Sequence, residues 1–213
     1  METKSGELRW PVSLATIFVI TLQLVLPDRL SLSFHNLFLG IEILLLLFII
    51  VANPHRIAEH KSHIWYSGIV LNLVMTVSNI AGVIKLIDLL VHTKISDPTG
   101  LLLSGGSIWI SNMIIFSLWY WEIDGGGAGF RFQAKRYTPD FLFTQMSNPE
   151  FAKPGWKPFY LDYFYLSLTN SSAFSPTDVL PLSRIAKSLM AIQSLISMVT
   201  LFLIVARAVN VLH

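Results

Sequence analysis

The chain contains no cysteine. That excludes a disulfide framework, a thiolate metal site and a thiol nucleophile, and it leaves the compartment unread. Charge is scarce as well. Asp, Glu, Lys and Arg make up 13% of the residues, against about a quarter in soluble domains. A net charge of +2 is too small to argue for nucleic acid as a partner. There is no H-E-x-x-H pattern and no nucleophile elbow. His55, His60 and His63 share a short loop with Glu59, but their spacing matches no metal motif, and a solvated loop is the simpler reading. Ser171 and Ser172 have no histidine placed by sequence to activate them. The run Gly125-Gly126-Gly127-Ala128-Gly129 is not followed by Lys-Ser/Thr, so it reads as a flexible joint and not as a phosphate loop. We therefore expect no enzyme, no cofactor and no bound metal.

What is abundant is apolar surface. Hydrophobic residues make up 53% of the chain, and mean hydropathy is +0.60. A bilayer core about 30 Å thick needs roughly 20 apolar residues as a helix. Five stretches qualify: Trp10 to Leu26, Phe34 to Ala52, Ile64 to Val91, Leu101 to Trp121 and Ala186 to Leu212. The third is long enough to tilt. The first is too long for a signal h-region and no small-x-small site follows it, so we expect it to be retained.

Between the fourth and fifth stretches the composition changes. Arg131, Lys135, Arg136, Lys153 and Lys157 with several prolines read as an interfacial loop. The aromatic run from Pro158 to Thr169 is too short to span and suits a re-entrant or interfacial helix. Non-helical backbone at membrane depth is tolerated only inside protein or beside water. The expected fold is thus all-α integral membrane, with five transmembrane helices plus one re-entrant pore-type helix between the fourth and fifth. Residues 1–100 form a three-helix membrane region. Residues 101–213 form a pore-like module: span 101–121, loop 122–157, re-entrant helix 158–169, polar stretch 170–182 and span 183–213.

The aromatic run from Asp162 to Thr169 resembles the pore helix of potassium channels, which ends in threonine. Pro181-Leu-Ser183-Arg-Ile-Ala186-Lys187 resembles the P-x-T-x-x-G-R opening of those channels' inner helix. The likeness covers the C-terminal module, and it implies a homotetramer that conducts monovalent ions. The filter-like segment would be Thr169, Asn170, Ser171, Ser172, Ala173, Phe174, Ser175, Pro176, Thr177 and Asp178. The channel filter reads T-V-G-Y-G-D, and both of its glycines are replaced here. Glycine enters left-handed backbone states that alanine and serine resist. Pro176 has a fixed φ and no N–H. Stacked carbonyl rings of the potassium type are not expected. Over nearly its full length the chain also resembles a family of uncharacterised bacterial membrane proteins. Its members share the tyrosine-rich helix, the S/T-x-A-F-S-P-T-D run (here ending at Asp178) and P-L-S/T-R-x-A-K (here Pro181 to Lys187). That likeness implies no activity.

Ionisable groups inside spans are expensive and are functional candidates by default. Glu42 and Lys85 fall on the order of 10 Å below the same surface if consecutive spans run antiparallel, so we expect them to pair, with Asp88 nearby. The pair is either a strut between helices or part of an ion or proton relay. On the last span Gln193, Ser197, Thr200, Ile204 and Arg207 share one helical face. That face either lines a wet pathway or acts as helix–helix glue. Ser104, Ser107 and Ser111, and Asn72, Thr76 and Asn79, repeat the pattern as packing faces.

Basic residues divide unevenly between the two sets of loops. One side holds Lys4, Arg9, Arg56, Lys61, the five in the 122–157 loop, Arg184 and Lys187, with Trp10, Trp65, Tyr66, Trp119, Tyr120 and Trp121 at its interface. The other holds Arg29, Lys94 and Arg207. The charge bias places the N-terminus and the re-entrant loop in the cytoplasm of a cell (plasma or inner) membrane, whereas potassium channels carry their pore loop outside. The expected partners are the lipid bilayer and further copies of the chain. Three functions remain open: a pore-loop protein related to tetrameric cation channels with a non-standard filter, a non-conducting scaffold or partner subunit, and a small-solute transporter. The last would usually show paired broken helices in internal repeats, and only one interrupted segment is present.

Overall fold

The structure, a computed structural model, describes residues 6–26, 35–52, 56–57, 61–92, 98–133, 138–174 and 178–211. It is almost entirely helical. In chain order come β1 (Glu7–Leu8), α1 (Trp10–Val25), α2 (His35–Ala52), β2 (Arg56–Ile57), α3 (Ser62–His92) and α4 (Pro98–Ile123). A 3₁₀ turn at Asp124–Gly126 leads to α5 (Ala128–Gln133), β3 (Phe141–Phe143), α6 (Thr144–Ser147), a second 3₁₀ turn at Pro149–Phe151, α7 (Tyr160–Ser172), β4 (Val179–Pro181) and α8 (Arg184–Val211).

Among the described residues, four helices are long and apolar enough to cross a membrane: His35–Ala52, Ser62–Leu90, Gly100–Gly126 and Arg184–Arg207. The expected first span, α1, is apolar but only 16 residues long. Helices of this length and apolarity point to a membrane protein. Outward-facing side chains are greasy, as lipid requires. Leu14, Phe18 and Leu24 on α1, Leu44 and Leu47 on α2, and Leu195, Phe202 and Val205 on α8 are all exposed. With no water in the hydrocarbon layer to satisfy the backbone, the helix is the form that closes its own hydrogen bonds there.

α4 is the central post. About 67% of its membrane-length window is buried, against 22% for the windows of α2 and α8. α1, α3, α7 and α8 all pack on it. Small residues allow the close approaches: a Cβ on Gly105 would stand 2.8 Å from Ile204 Cγ1 on α8. The core beneath combines Phe116, Tyr120 and Trp121 with Phe141 and Phe143 of β3 and Tyr163 of α7.

The glycine run is not the flexible joint expected. Gly125, Gly126 and Gly127 adopt φ of 58°, 80° and 96°, left-handed states that glycine enters without strain. They form one tight turn against Trp65, whose Nε1 donates to Glu122 O at 3.0 Å. The loop after it is likewise built up, through α5, α6 and the short antiparallel pairing of β3, and a second such pairing lies outside it. β1 pairs with β2. β3 pairs with β4, setting Phe141 opposite Pro181 and Phe143 opposite Val179. Leu182 N donates to Asp140 O at 2.8 Å, and Thr144 Oγ1 donates to Asp178 O at 2.7 Å. The chain that leaves toward α7 is thus clasped to the chain that returns from it.

Candidate functional site

Two buried polar clusters hold α7 in place, one ionic and one neutral. The ionic cluster forms at the end of α4, where the last carbonyls have no partner within the helix. Arg131, on α5, fills that gap. Its Nη1 donates to Trp121 O at 2.8 Å and to Asp124 O at 2.7 Å, and its Nη2 pairs with Glu7 Oε2 at 3.2 Å. The guanidinium lies 5.1 Å from the Tyr163 ring and 5.8 Å from the Trp121 ring. Glu7 Oε1 accepts from Trp121 Nε1 at 2.7 Å and from Tyr160 N at 2.9 Å, so it also caps the start of α7. Asp124 completes the cluster. Its Oδ1 accepts from Asp140 N at 2.7 Å and Phe141 N at 3.2 Å, and its Oδ2 accepts from Tyr163 O–H at 2.5 Å.

Arg131 is 0% exposed and Glu7 1%. Burial pushes the Glu7 carboxyl above its ordinary 4.5, while Arg131, Trp121 and the Tyr160 N–H pull it back. Burial also works against the Arg131 charge, but Tyr163, Glu7 and Asp124 outweigh it and hold the guanidinium above its ordinary value. Arg131 therefore stays charged and needs its acids.

The neutral cluster lies deeper and centres on Gln193 of α8. Gln193 Nε2 donates to Ser167 O, Ser167 Oγ and Ser171 Oγ at 3.0, 2.6 and 2.6 Å. Its Oε1 accepts from Tyr120 O–H and, at 2.8 Å, from Asn170 Nδ2. Asn170 Nδ2 also donates to Met190 O at 3.0 Å. Asn112 on α4 extends the cluster by donating to Gln193 O at 3.3 Å and to Ser197 Oγ at 2.8 Å. Ser167 Oγ donates to Met113 O at 2.5 Å, and Ser117 Oγ meets Tyr160 Oη at 2.8 Å. Each buried polar side chain of α7 thus has a partner on α4, on the 3₁₀ turn that follows it or on α8.

The last-span face divides along this line. Gln193, Ser197 and Thr200 are 0% exposed and point into the protomer. Ile204 packs on Gly105, and Arg207 is partly buried beside Leu86, Leu101 and Leu203. The filter-like segment also divides. Asn170 and Ser171 are buried, Thr169 is half-buried, and Ser172, Ala173, Phe174 and Asp178 are exposed. Ser175, Pro176 and Thr177 lie outside the described residues. Phe174 has φ of 56°, a left-handed state at the end of α7 that a bulky residue seldom adopts.

The expected Glu42–Lys85 pair gives way to a different contact. Glu42 Oε1 accepts from Ser78 Oγ at 3.3 Å, and its Oε2 has no hydrogen-bond partner. Lys85 and Asp88 lie about two turns or more further along α3. α3 runs 31 residues from Ser62 to His92 and α2 only 18 from His35 to Ala52, so with Ser78 at the level of Glu42 the C-terminal part of α3 extends past the start of α2. Its overhang moves Lys85 off the level of Glu42. Among the packing faces, Thr76 Oγ1 accepts from Trp119 Nε1 at 2.9 Å, while Ser104 and Ser107 bond back to their own helix.

Glu7, Asp124, Arg131, Asn112 and Tyr163 were missed as site residues because loop charges and scattered polar groups were read singly. One signal was available. Arg131 sits between Phe130 and Phe132 just after the glycine turn, an apolar setting unlike that of an interfacial cation. No protein-family model, no curated protein and no solved structure matches the chain.

Proposed function

We propose that the chain is a five-span cell-membrane protein with α7 as a re-entrant helix, acting as a non-conducting scaffold or partner subunit. The re-entrant reading is supported by depth. α7 has 13 residues, or about 20 Å of helix, and starts at the ionic cluster. Its contacts run from Ser117 to Met113 as it descends α4. The stretch 173–178 can reach about 20 Å when extended, enough to return to β4, which is clasped to β3. The excess of basic loop residues supports an N-terminus and α7 entry on the cytoplasmic side.

The observation that carries the scaffold reading is that Gln193, Ser197 and Thr200 are 0% exposed. An inner helix that lines a wet path presents polar side chains to it. Here the polar face of α8 is closed against α4 and α7, and its outer face carries Ile185, Ile192, Leu195, Phe202 and Val205. α7 is then a plug that braces α4 against α8, and the greasy face of α8 meets lipid or another subunit. The test is flux through liposomes reconstituted with the purified chain, with oligomer size measured in parallel. The expected result is no flux of small monovalent cations above that of empty liposomes. Flux that changes in a Phe174→Ala variant would overturn it.

A second reading has its own support. The order helix, loop, short helix, helix is that of a pore module, and Ser172, Ala173 and Phe174 are exposed at the tip of α7. A tetramer that placed these tips around a common axis would be a channel with an altered filter. Four copies joined through the tips, together with flux, would select it.

A further inference from the structure

The first three helices carry a polar cluster that the α7 brace does not use. Glu42, on α2, is 0% exposed, and Gln23, on α1, is 8% exposed. Ser78 Oγ donates to Glu42 Oε1 at 3.3 Å, which sets the Glu42 carboxyl directly behind Ser78, next to the cavity described below but not on its wall. Both Gln23 amide atoms and Glu42 Oε2 lack a hydrogen-bond partner. Gln23 and Ser78 line a cavity of about 20 Å³ whose other polar walls are Asn79, Ser107 and Ser111. That is room for about one water-sized occupant. A buried polar group without a partner costs free energy, and an unpaired buried carboxylate costs far more. The groups left open here are a carboxylate oxygen and an amide carbonyl, with hydroxyls next to them.

We propose that Glu42, Gln23 and Ser78 form an intramembrane site for one monovalent cation of Na⁺ size, bound in exchange for the carboxyl proton of Glu42. The exchange is balanced: Na⁺ enters, H⁺ leaves to water, and the site remains neutral overall. Hard cations take oxygen ligands, and a divalent ion would demand more than the single carboxylate present. A proton alone needs one acceptor. Five neutral polar side chains around a one-water cavity exceed that need. The larger K⁺ would have to widen the cavity.

Few other charges reach the site. α1 has no ionisable residue, and α2 has only His35 besides Glu42. On α3 the nearest are Lys85 and Asp88, about two turns or more beyond Ser78, and α4 has none before Tyr120 and Glu122. Glu42 lies about 10 Å down α2 from His35, within reach of the surface opposite the ionic cluster. The site is independent of whether the chain is a scaffold or a channel.

The test is thermal unfolding of the full chain in detergent, followed by tryptophan fluorescence, with Na⁺ titrated against K⁺ and choline at constant ionic strength. The expected result is a saturable rise in Tm specific to Na⁺, with a midpoint that weakens as pH falls because protons compete. Glu42→Gln should abolish the rise, and Gln23→Leu should weaken the midpoint about tenfold. An equal rise with K⁺ or choline would overturn the proposal, as would a rise that survives in Glu42→Gln. A pH dependence without Na⁺ specificity would reduce the site to a protonated acid and overturn it too. Should Glu42→Gln not fold, carbodiimide labelling of Glu42 in the unaltered chain decides the matter. Na⁺ should slow the labelling and choline should not, and labelling indifferent to Na⁺ is the contrary result.

Discussion

The half of the molecule built from α4, α7 and α8 and the half built from α1, α2 and α3 treat buried polarity differently. In the first, most polar side chains at depth are amides or hydroxyls, and they bond across helices: Gln193 to Ser167 and Ser171, Asn170 to Met190. Apart from the partly buried Arg207, full charges gather in the ionic cluster, where Arg131 also satisfies the carbonyls that end α4. Atoms at Trp109, Asn112, Arg131 and Arg207 are left open there, but Asn112 and Arg131 bond to other elements through their remaining atoms. In the second, Glu42 and Gln23 are buried at depth with atoms left open, and the Gln23 amide has no hydrogen-bond partner at all. A buried polar network that is satisfied rigidifies, whereas one that is only partly satisfied remains costly and responsive. The first half is built as a brace, and the second keeps a vacancy in its bonding.

Substitutions can break this contrast, beginning with the ionic cluster. Glu7→Ala removes the carboxylate that pairs with a fully buried guanidinium, and breaking such a pair costs about 3–5 kcal/mol. Thermal unfolding in detergent should show the largest fall in Tm of any variant here. Gln193→Leu deletes the hub of the neutral cluster. Interhelical bonds in membranes are worth about 0.6 kcal/mol on average and up to about 1.7, so we expect a loss of about 2 kcal/mol. A double-mutant cycle with Asn170→Leu should be strongly non-additive. Additivity would mean that the two residues do not act as one unit.

Smaller effects follow at single contacts. Gly127→Ala places a Cβ 2.9 Å from Trp65 Cδ1 at a φ of 96°, and strain of this kind costs about 1–3 kcal/mol. A shift in tryptophan emission should accompany the lower Tm. Tyr163→Phe removes one of three bonds to Asp124 and should cost about 1 kcal/mol. Ser78→Ala should be smallest. It deletes a bond of 3.3 Å and should lower stability by about 0.5 kcal/mol. A loss as large as that of Gln193→Leu would mean that the N-terminal half is braced after all.

The helices were legible because hydropathy and length are local properties, and α2, α3, α4 and α8 fall where the apolar runs lie. α7 was legible for the same reason, as an aromatic run too short to cross. The shared face of Gln193, Ser197 and Thr200 could be read from spacing, but not what it faces, since that depends on which helices neighbour it. The ionic cluster was hidden because its members lie far apart in the chain, and each one alone resembles an ordinary interfacial charge. Glu42 was recognised as unusual. Its partner was misplaced by two turns because apolar runs do not mark how far a helix overhangs the membrane.

The bonds of Glu7 also bear on time. Its partners Trp121, Arg131 and Tyr160 are 114, 124 and 153 residues away. During synthesis α1 is made long before any of them exists. Glu7 must stay hydrated while α2, α3 and α4 are made. Contacts so distant in sequence form slowly and late. The carboxylate therefore acts as a completion mark: the first helix is locked only once the ribosome has delivered the start of α7.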